Sequence, residues 1–152
     1  MAYRDDAKRN IEIASRYRPV GVRVKFKRVG SRLGPAHSKI HKDGTKEIHS
    51  PVPTDRDGLF FFLHECAHLI LRHWHVKLPV WRQEYEAEQW AIATFRREGI
   101  PVSKEMIKEA KRYVKATIIA HLKKGRPRPP LKVLRWCDIL PEEIDKLIKK
   151  KL

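Results

Sequence analysis

Thr54-Asp55-Arg56-Asp57-Gly58-Leu59-Phe60-Phe61-Phe62-Leu63-His64-Glu65-Cys66-Ala67-His68-Leu69-Ile70-Leu71 decides how this chain folds. Leu59 to Leu63 precede the five residues His64 to His68, and Leu69-Ile70-Leu71 follow them. A run that is apolar on nearly every face is a buried helix. Thr54 or Asp55 can cap its start, with Asp57 in the first turn. His64 and His68 are four residues apart, so they share one helix face, roughly 6 Å apart along the axis. Two imidazoles so placed reach a single metal ion. Glu65 is rotated off the line joining them but borders the same point, where it can handle the proton of a water. Unpaired polar groups are costly in a buried helix, and a metal satisfies all three. Zinc suits the set, because it takes imidazole nitrogen and carboxylate oxygen and leaves one position open.

A third ligand is expected from a later helix. His73 and His75 are close in sequence but badly placed if the helix continues; His75 would lie roughly 10 Å beyond His68 along the axis. They read as polar residues closing the helix C-terminus. The segment from Pro79 to Glu98 reads as a second helix, closed by Gly99 with Pro101 beyond. Its apolar side is Trp81, Glu84, Ala87, Glu88, Ala91, Ile92 and Phe95. Glu84 and Glu88 are carboxylates on that side. Glu84 is the expected metal ligand, with Glu88 one turn on as an acceptor for the outer N–H of a ligand histidine. Glu86 points elsewhere, beside Arg82, as a solvated charge. Ala87 and Ala91 are small enough to let the two helices approach closely.

His64-Glu65-Cys66-Ala67-His68 followed by Glu84-Tyr85-Glu86-Ala87-Glu88-Gln89-Trp90-Ala91 resembles the ImmA/IrrE-type zinc metallopeptidases of the gluzincin class. Their pattern is HExxH, then E-x-E-A-(N/D)-x-F-A on the next helix. The family's Asn or Asp falls on Glu88 and its Phe on Trp90, and Ala67 stands where the family has Gly. The resemblance covers residues 20 to 102 in layout, with its specific residues between 64 and 91. It implies His64, His68 and Glu84 as ligands of one zinc ion and Glu65 as catalytic base. It also implies cleavage of regulatory, often DNA-bound, proteins.

Length and composition fit a compact enzyme. The chain has 152 residues, enough for a core, and is 41% hydrophobic. No apolar run reaches membrane-spanning length, and the N-terminus shows no signal-peptide pattern. Its two cysteines, Cys66 and Cys137, give no disulfide framework, so a cytoplasmic location is expected. Without a CxxC pair there is no zinc ribbon of the kind found in some SprT-type proteases.

The formal net charge is +16, and it is unevenly spread. Residues 1–50 carry +8, residues 51–103 carry −1, and residues 104–152 carry +9. The metal segment is therefore near neutral and its flanks are strongly basic. Such flanks suit nucleic acid or an acidic protein partner. Residues 4 to 17 read as an amphipathic helix with Ile11 and Ile13 inward. Val22 to Lys27 alternates as a strand, with Val22, Val24 and Phe26 inward and Arg23, Lys25 and Lys27 on the other face. Those three like charges repel unless something anionic neutralises them. His37 to His49 reads as a hairpin turning at Asp43-Gly44. In zincin folds such an edge strand runs along the cleft and pairs with extended substrate. His37, His41 and His49 read as plain strand residues.

Ser103 caps a helix whose inner stripe is Met106, Ile107, Ala110, Tyr113, Val114, Thr117, Ile118 and His121. Tyr113 and His121 are candidate oxyanion donors. Lys123-Lys124-Gly125-Arg126-Pro127-Arg128-Pro129-Pro130 is a basic, Pro-rich linker, its cations candidates for binding nucleic acid or an acidic partner. A short final helix starts near Pro141 and ends at Lys149-Lys150-Lys151.

The expected fold is α+β and zincin-like. A small antiparallel or mixed sheet packs on the HExxH helix and a following ligand helix. The metallopeptidase domain spans residues 1–124, with residues 125–152 an extension packed on it. The expected activity is zinc-dependent hydrolysis of a peptide bond in a regulatory or nucleic-acid-associated protein. The alternatives are a nucleic-acid-binding regulatory protein with a structural or vestigial zinc site, and a SprT-like DNA-associated protease with His121 as third ligand.

Overall fold

The computed structural model describes residues 2–27 and 36–149. Its described elements, in chain order, are α1 (Ala2–Tyr17), β1 (Val22–Lys27), β2 (His37–Ile40), β3 (Lys46–Pro51), α2 (Arg56–Ile70), α3 (Val80–Arg97), α4 (Lys104–Lys123), α5 (Leu131–Trp136) and α6 (Pro141–Lys149). This is an α+β chain with a three-stranded mixed sheet. The chain forms two compact units: Met1–Lys77 with Ala87–Pro101, and Leu78–Glu86 with Val102–Leu152. Helix α3 is continuous, its first turns belonging to the second unit and the rest to the first.

In the first unit the strand order is β1-β3-β2. β2 and β3 form the expected antiparallel hairpin, with Ser38 opposite Ile48. Asp43 accepts from the Thr45 backbone N–H at 2.9 Å, and Gly44 takes the left-handed conformation (φ 88°) that favours glycine. β1 pairs in parallel with β3, Val24 opposite Ile48. The sheet's inner face presents Val22 and Ile48, and α2 packs beneath β2 and β3. Phe26 was expected inward but is exposed, as is Ile11. In α1 the inward residues are Asn10, Ile13 and Ala14; Ile11 is two residues, about 200°, from Ile13 and faces the other way. Ile11, Val24, Phe26, Val52 and Phe62 instead line a shallow apolar cavity of about 110 Å³.

Asp55 is the N-cap of α2, its carboxylate accepting from the Gly58 N–H at 2.7 Å. A Cβ at Gly58 would come within 2.9 Å of the same Asp55 oxygen. Gly58 is thus fixed by its own cap. The buried side of α2 continues through Leu59, Phe60, Phe62, Leu63, Cys66, Ala67 and Leu69. Ala87, Ala91, Ile92 and Phe95 of α3 are buried in the same unit, and Phe60 meets Phe95 edge to face at 5.5 Å. The small Ala87 and Ala91 are fully buried.

The second unit has its own core. Trp81 at the start of α3 clusters with Val114, Ile118 and Leu122 of α4, Val133 and Leu134 of α5, and Cys137, Ile139 and Ile144. The segment after Gly125 shares this core with α4. Ser103 caps α4 as expected, accepting from the Met106 N–H at 3.1 Å. Four helices end in the same way, with a left-handed residue whose N–H and that of its successor return to the last turn. Gly99 and Gly125 do so with glycine; Arg72 (φ 58°) and Asp138 (φ 56°) do so without it. Of the final lysines, Lys150 and Lys151 lie outside the described residues.

Candidate metal centre

Arg72 shapes the site although it has no part in its chemistry. Its left-handed backbone ends α2, so the His73 N–H reaches back to the His68 carbonyl at 3.0 Å and the Arg72 N–H to that of Leu69 at 3.2 Å. This turn brings the His73 side chain back onto His68, Nδ1 to Nδ1 at 2.9 Å, in a buried position. His73 does not simply close the helix end, as expected; it is an outer partner of His68. No glycine marks the turn, so the sequence carried no signal for it.

The two motif histidines are buried, their ring centroids 4.7 Å apart at 81°. Their Nε2 atoms converge to 3.0 Å. The opposite nitrogen of each ring faces another side chain. His64 Nδ1 lies 3.2 Å from Glu88 Oε1, and His68 Nδ1 faces His73. An Nδ1–H directed outward leaves the Nε2 lone pair directed inward. Two such lone pairs at this distance repel unless a cation or a proton lies between them. One ligand atom from each of His64, His68 and Glu84 lies within 4.8 Å of the others. This group can hold a metal ion, and it is the one such group of three or more among the described residues. Glu88 adds a second, buried negative charge, and its Oε2 makes no hydrogen bond among the described residues. A cation at the histidine pair offsets the cost of that burial. The donor set therefore fits a metal.

Glu65 is buried beside the ligand face, where the helix places it. Glu86 pairs with Arg82 at 2.9 Å, the helix pairing read from the sequence. Cys66 is fully buried, and desolvation followed by the Glu65 charge pushes its thiol well above its ordinary range. Cys137 is raised to about 11, first by burial. Both thiols are free, and neither is available as thiolate near neutral pH.

The two candidate oxyanion donors have other surroundings. Tyr113 is 51% exposed rather than on the inner stripe of α4. His121 Nε2 bonds the Pro127 carbonyl at 2.8 Å, and its ring meets Trp81 edge-on at 6.2 Å, so it holds the Pro-rich segment against α4. The expected stripe was one position too wide; the buried residues are Ala110, Val114, Ile118 and Leu122. Arg128 pairs with Asp145 at 2.6 Å, whereas Lys123, Lys124 and Arg126 are exposed and form no ion pair among the described residues.

Glu47, which sequence reading passed over, is the buried anion of the sheet, 3% exposed. Arg23 and Lys25 approach it at 3.6 Å each, Lys39 at 3.8 Å, His41 at 3.3 Å and His49 at 2.9 Å. The anion that Arg23 and Lys25 were expected to require thus comes first from β3. Parallel pairing sets Glu47 opposite Arg23, and the alternation of Lys46-Glu47-Ile48-His49 could have revealed its face but not its partner. Lys27 contacts His37 at 2.9 Å, and His37 stacks on His49 at 4.5 Å. The hydrogen bond from His49, above all, pulls the Glu47 carboxyl down to about 2. A depressed carboxyl stabilises the fold above its unfolded value and loses that effect as pH falls through the folded one. Glu47→Gln is therefore expected to lower the thermal midpoint at pH 7. The gap to wild type should narrow from about pH 4.5 downward; a gap unchanged between pH 7 and pH 3 would contradict this.

The chain matches no protein-family model, no curated protein and no solved structure at a significant level. Among the described residues no helix is long and apolar enough to cross a membrane.

His73→Ala tests the turn at Arg72. It is expected to lower metal affinity by about 10- to 100-fold in competition with a chelator, as losing an outer partner does elsewhere. Unchanged affinity would mean that α2 alone orients His68.

Proposed function

We propose that this chain is a zinc metallopeptidase with a zincin-like arrangement, cleaving a peptide bond in a regulatory protein. The observation that carries the reading is the convergence of His64 and His68 Nε2 with the Glu84 carboxylate, with Glu65 beside them on α2. Zinc held by His64, His68 and Glu84 would polarise the scissile carbonyl and acidify the attacking water. His73 would hold His68 in the tautomer that presents Nε2, and the Glu88 carboxylate, 3.2 Å from His64 Nδ1, would favour the same tautomer of His64. Glu65 accepts the proton of the attacking water and returns a proton to the leaving amine. Its burial keeps the carboxylate largely away from bulk solvent.

Substrate would bind as an added strand. β2 is an edge strand whose other side is paired with β3, and α2 packs beneath it. An extended peptide beside β2 would take its main-chain hydrogen bonds from His37–Ile40. The two free, buried thiols suit a reducing compartment.

The test is a search for new protein N-termini in a cell extract given zinc-loaded protein or chelator-stripped protein. New termini that need the zinc-loaded form are the expected result. Their absence with zinc-loaded, folded protein would overturn the reading.

A further inference from the structure

The outer face of the sheet carries more positive charge than its own carboxylate can balance. Between Glu12 and Asp43 the chain has nine Lys and Arg and no Asp or Glu. Strand alternation gathers four of these cations onto one face: Arg23, Lys25 and Lys27 of β1 and Lys39 of β2. Glu47 is the acidic residue there, in the central strand. The contacts of Arg23, Lys25 and Lys39 with it, at 3.6 to 3.8 Å, are looser than hydrogen bonds. Their side chains stay 64%, 53% and 46% exposed. In each pair the cation is exposed and the carboxylate buried, and His41 and His49 also contact Glu47, at 3.3 and 2.9 Å, so no single cation alone offsets its charge. Each cation can therefore turn to an outside anion while Glu47 holds its stem in place.

The face also has a repeat. Alternate residues of β1 are about 6.6 Å apart, a spacing comparable with successive phosphates on an extended strand. Next to the cations, His37 and His49 form a stacked imidazole pair at 4.5 Å and 17°. A row of cations with flat rings beside it is how sheet surfaces hold single strands, backbone on the charges and bases on the rings. An acidic peptide would use the charges but not the rings.

We propose that this sheet face binds single-stranded nucleic acid, with Arg23, Lys25 and Lys39 on phosphates and the His37–His49 pair against a base. The site is independent of the metal centre, so it stands or falls separately from the peptidase reading.

The experiment is fluorescence anisotropy of the full chain with labelled dT20 and, separately, rU20, titrated at several salt concentrations. Binding that weakens with salt is expected, and the better of the two oligonucleotides identifies the natural strand. Arg23→Gln with Lys25→Gln should weaken binding by about tenfold and flatten the salt slope by about 1.4, the value for two lost phosphate contacts. Glu47→Gln removes the competing anion and should tighten binding, which a merely misfolded variant would not do. Lys123→Gln with Lys124→Gln and Arg126→Gln should keep most of the affinity. The proposal is overturned if folded Arg23→Gln/Lys25→Gln binds like wild type. It is equally overturned if Glu47→Gln fails to tighten binding, or if poly-glutamate competes as well as unlabelled oligonucleotide.

Discussion

Glu65→Gln is expected to leave the protein folded and zinc-loaded while lowering peptide hydrolysis by about 10²- to 10⁴-fold, the usual worth of a positioned general base. Gln matches Glu in shape, so the buried position in α2 keeps its packing. His64, His68 and Glu84 are untouched, so metal content should equal that of wild type. The amide cannot take the proton of the attacking water, and this is the single function removed. Chelation would remove the metal and the proposed activity together, whereas this substitution separates the two. Activity within twofold of wild type would move the base elsewhere and undo the mechanism.

Glu84→Ala should act on the metal itself. Two imidazoles from one helix turn remain, too few to hold zinc against a chelator, and affinity should fall by more than about 100-fold, beyond the loss of an outer partner. Glu86→Ala, one residue pair along the same helix and already tied to Arg82, should leave affinity unchanged. If Glu84→Ala retained full zinc, the ligand role would pass to Glu86 or to a histidine.

What could be read from the sequence follows physical range. The motif helix, its Asp55 cap, the Asp43-Gly44 hairpin and the Glu84 and Glu88 positions depend on local periodicity and local hydrogen bonding, and each was legible. Parallel pairing of β1 with β3 depends on a crossover, so the burial of Glu47 beneath Arg23 and Lys25 was not. Arg72 adopts a conformation that glycine usually marks, so nothing local announced that His73 would return to His68. The inner stripe of α4 was assigned too widely because Tyr113 is amphipathic, and periodicity alone does not place such a ring inside or out. Ile11 and Phe26 misled in a simpler way: Ile11 lies about 200° from Ile13 around α1, and Phe26, on the expected side of β1, lines a shallow apolar cavity rather than the core.

The basic flanks and the near-neutral metal segment now have separate explanations. Charge on the sheet is organised around Glu47, and part of the C-terminal charge is used internally, Arg128 on Asp145 and Lys111 on Asp138. The chemistry proposed for His64, Glu65 and His68 depends on neither. The most direct test of the central claim is X-ray absorption at the zinc edge of the purified, zinc-loaded protein. The account predicts two imidazole nitrogens and one carboxylate oxygen from the chain, no sulfur, and a fourth position filled by exchangeable solvent. A fourth ligand from the protein, His73 included, or a sulfur ligand would make the site structural and contradict the peptidase.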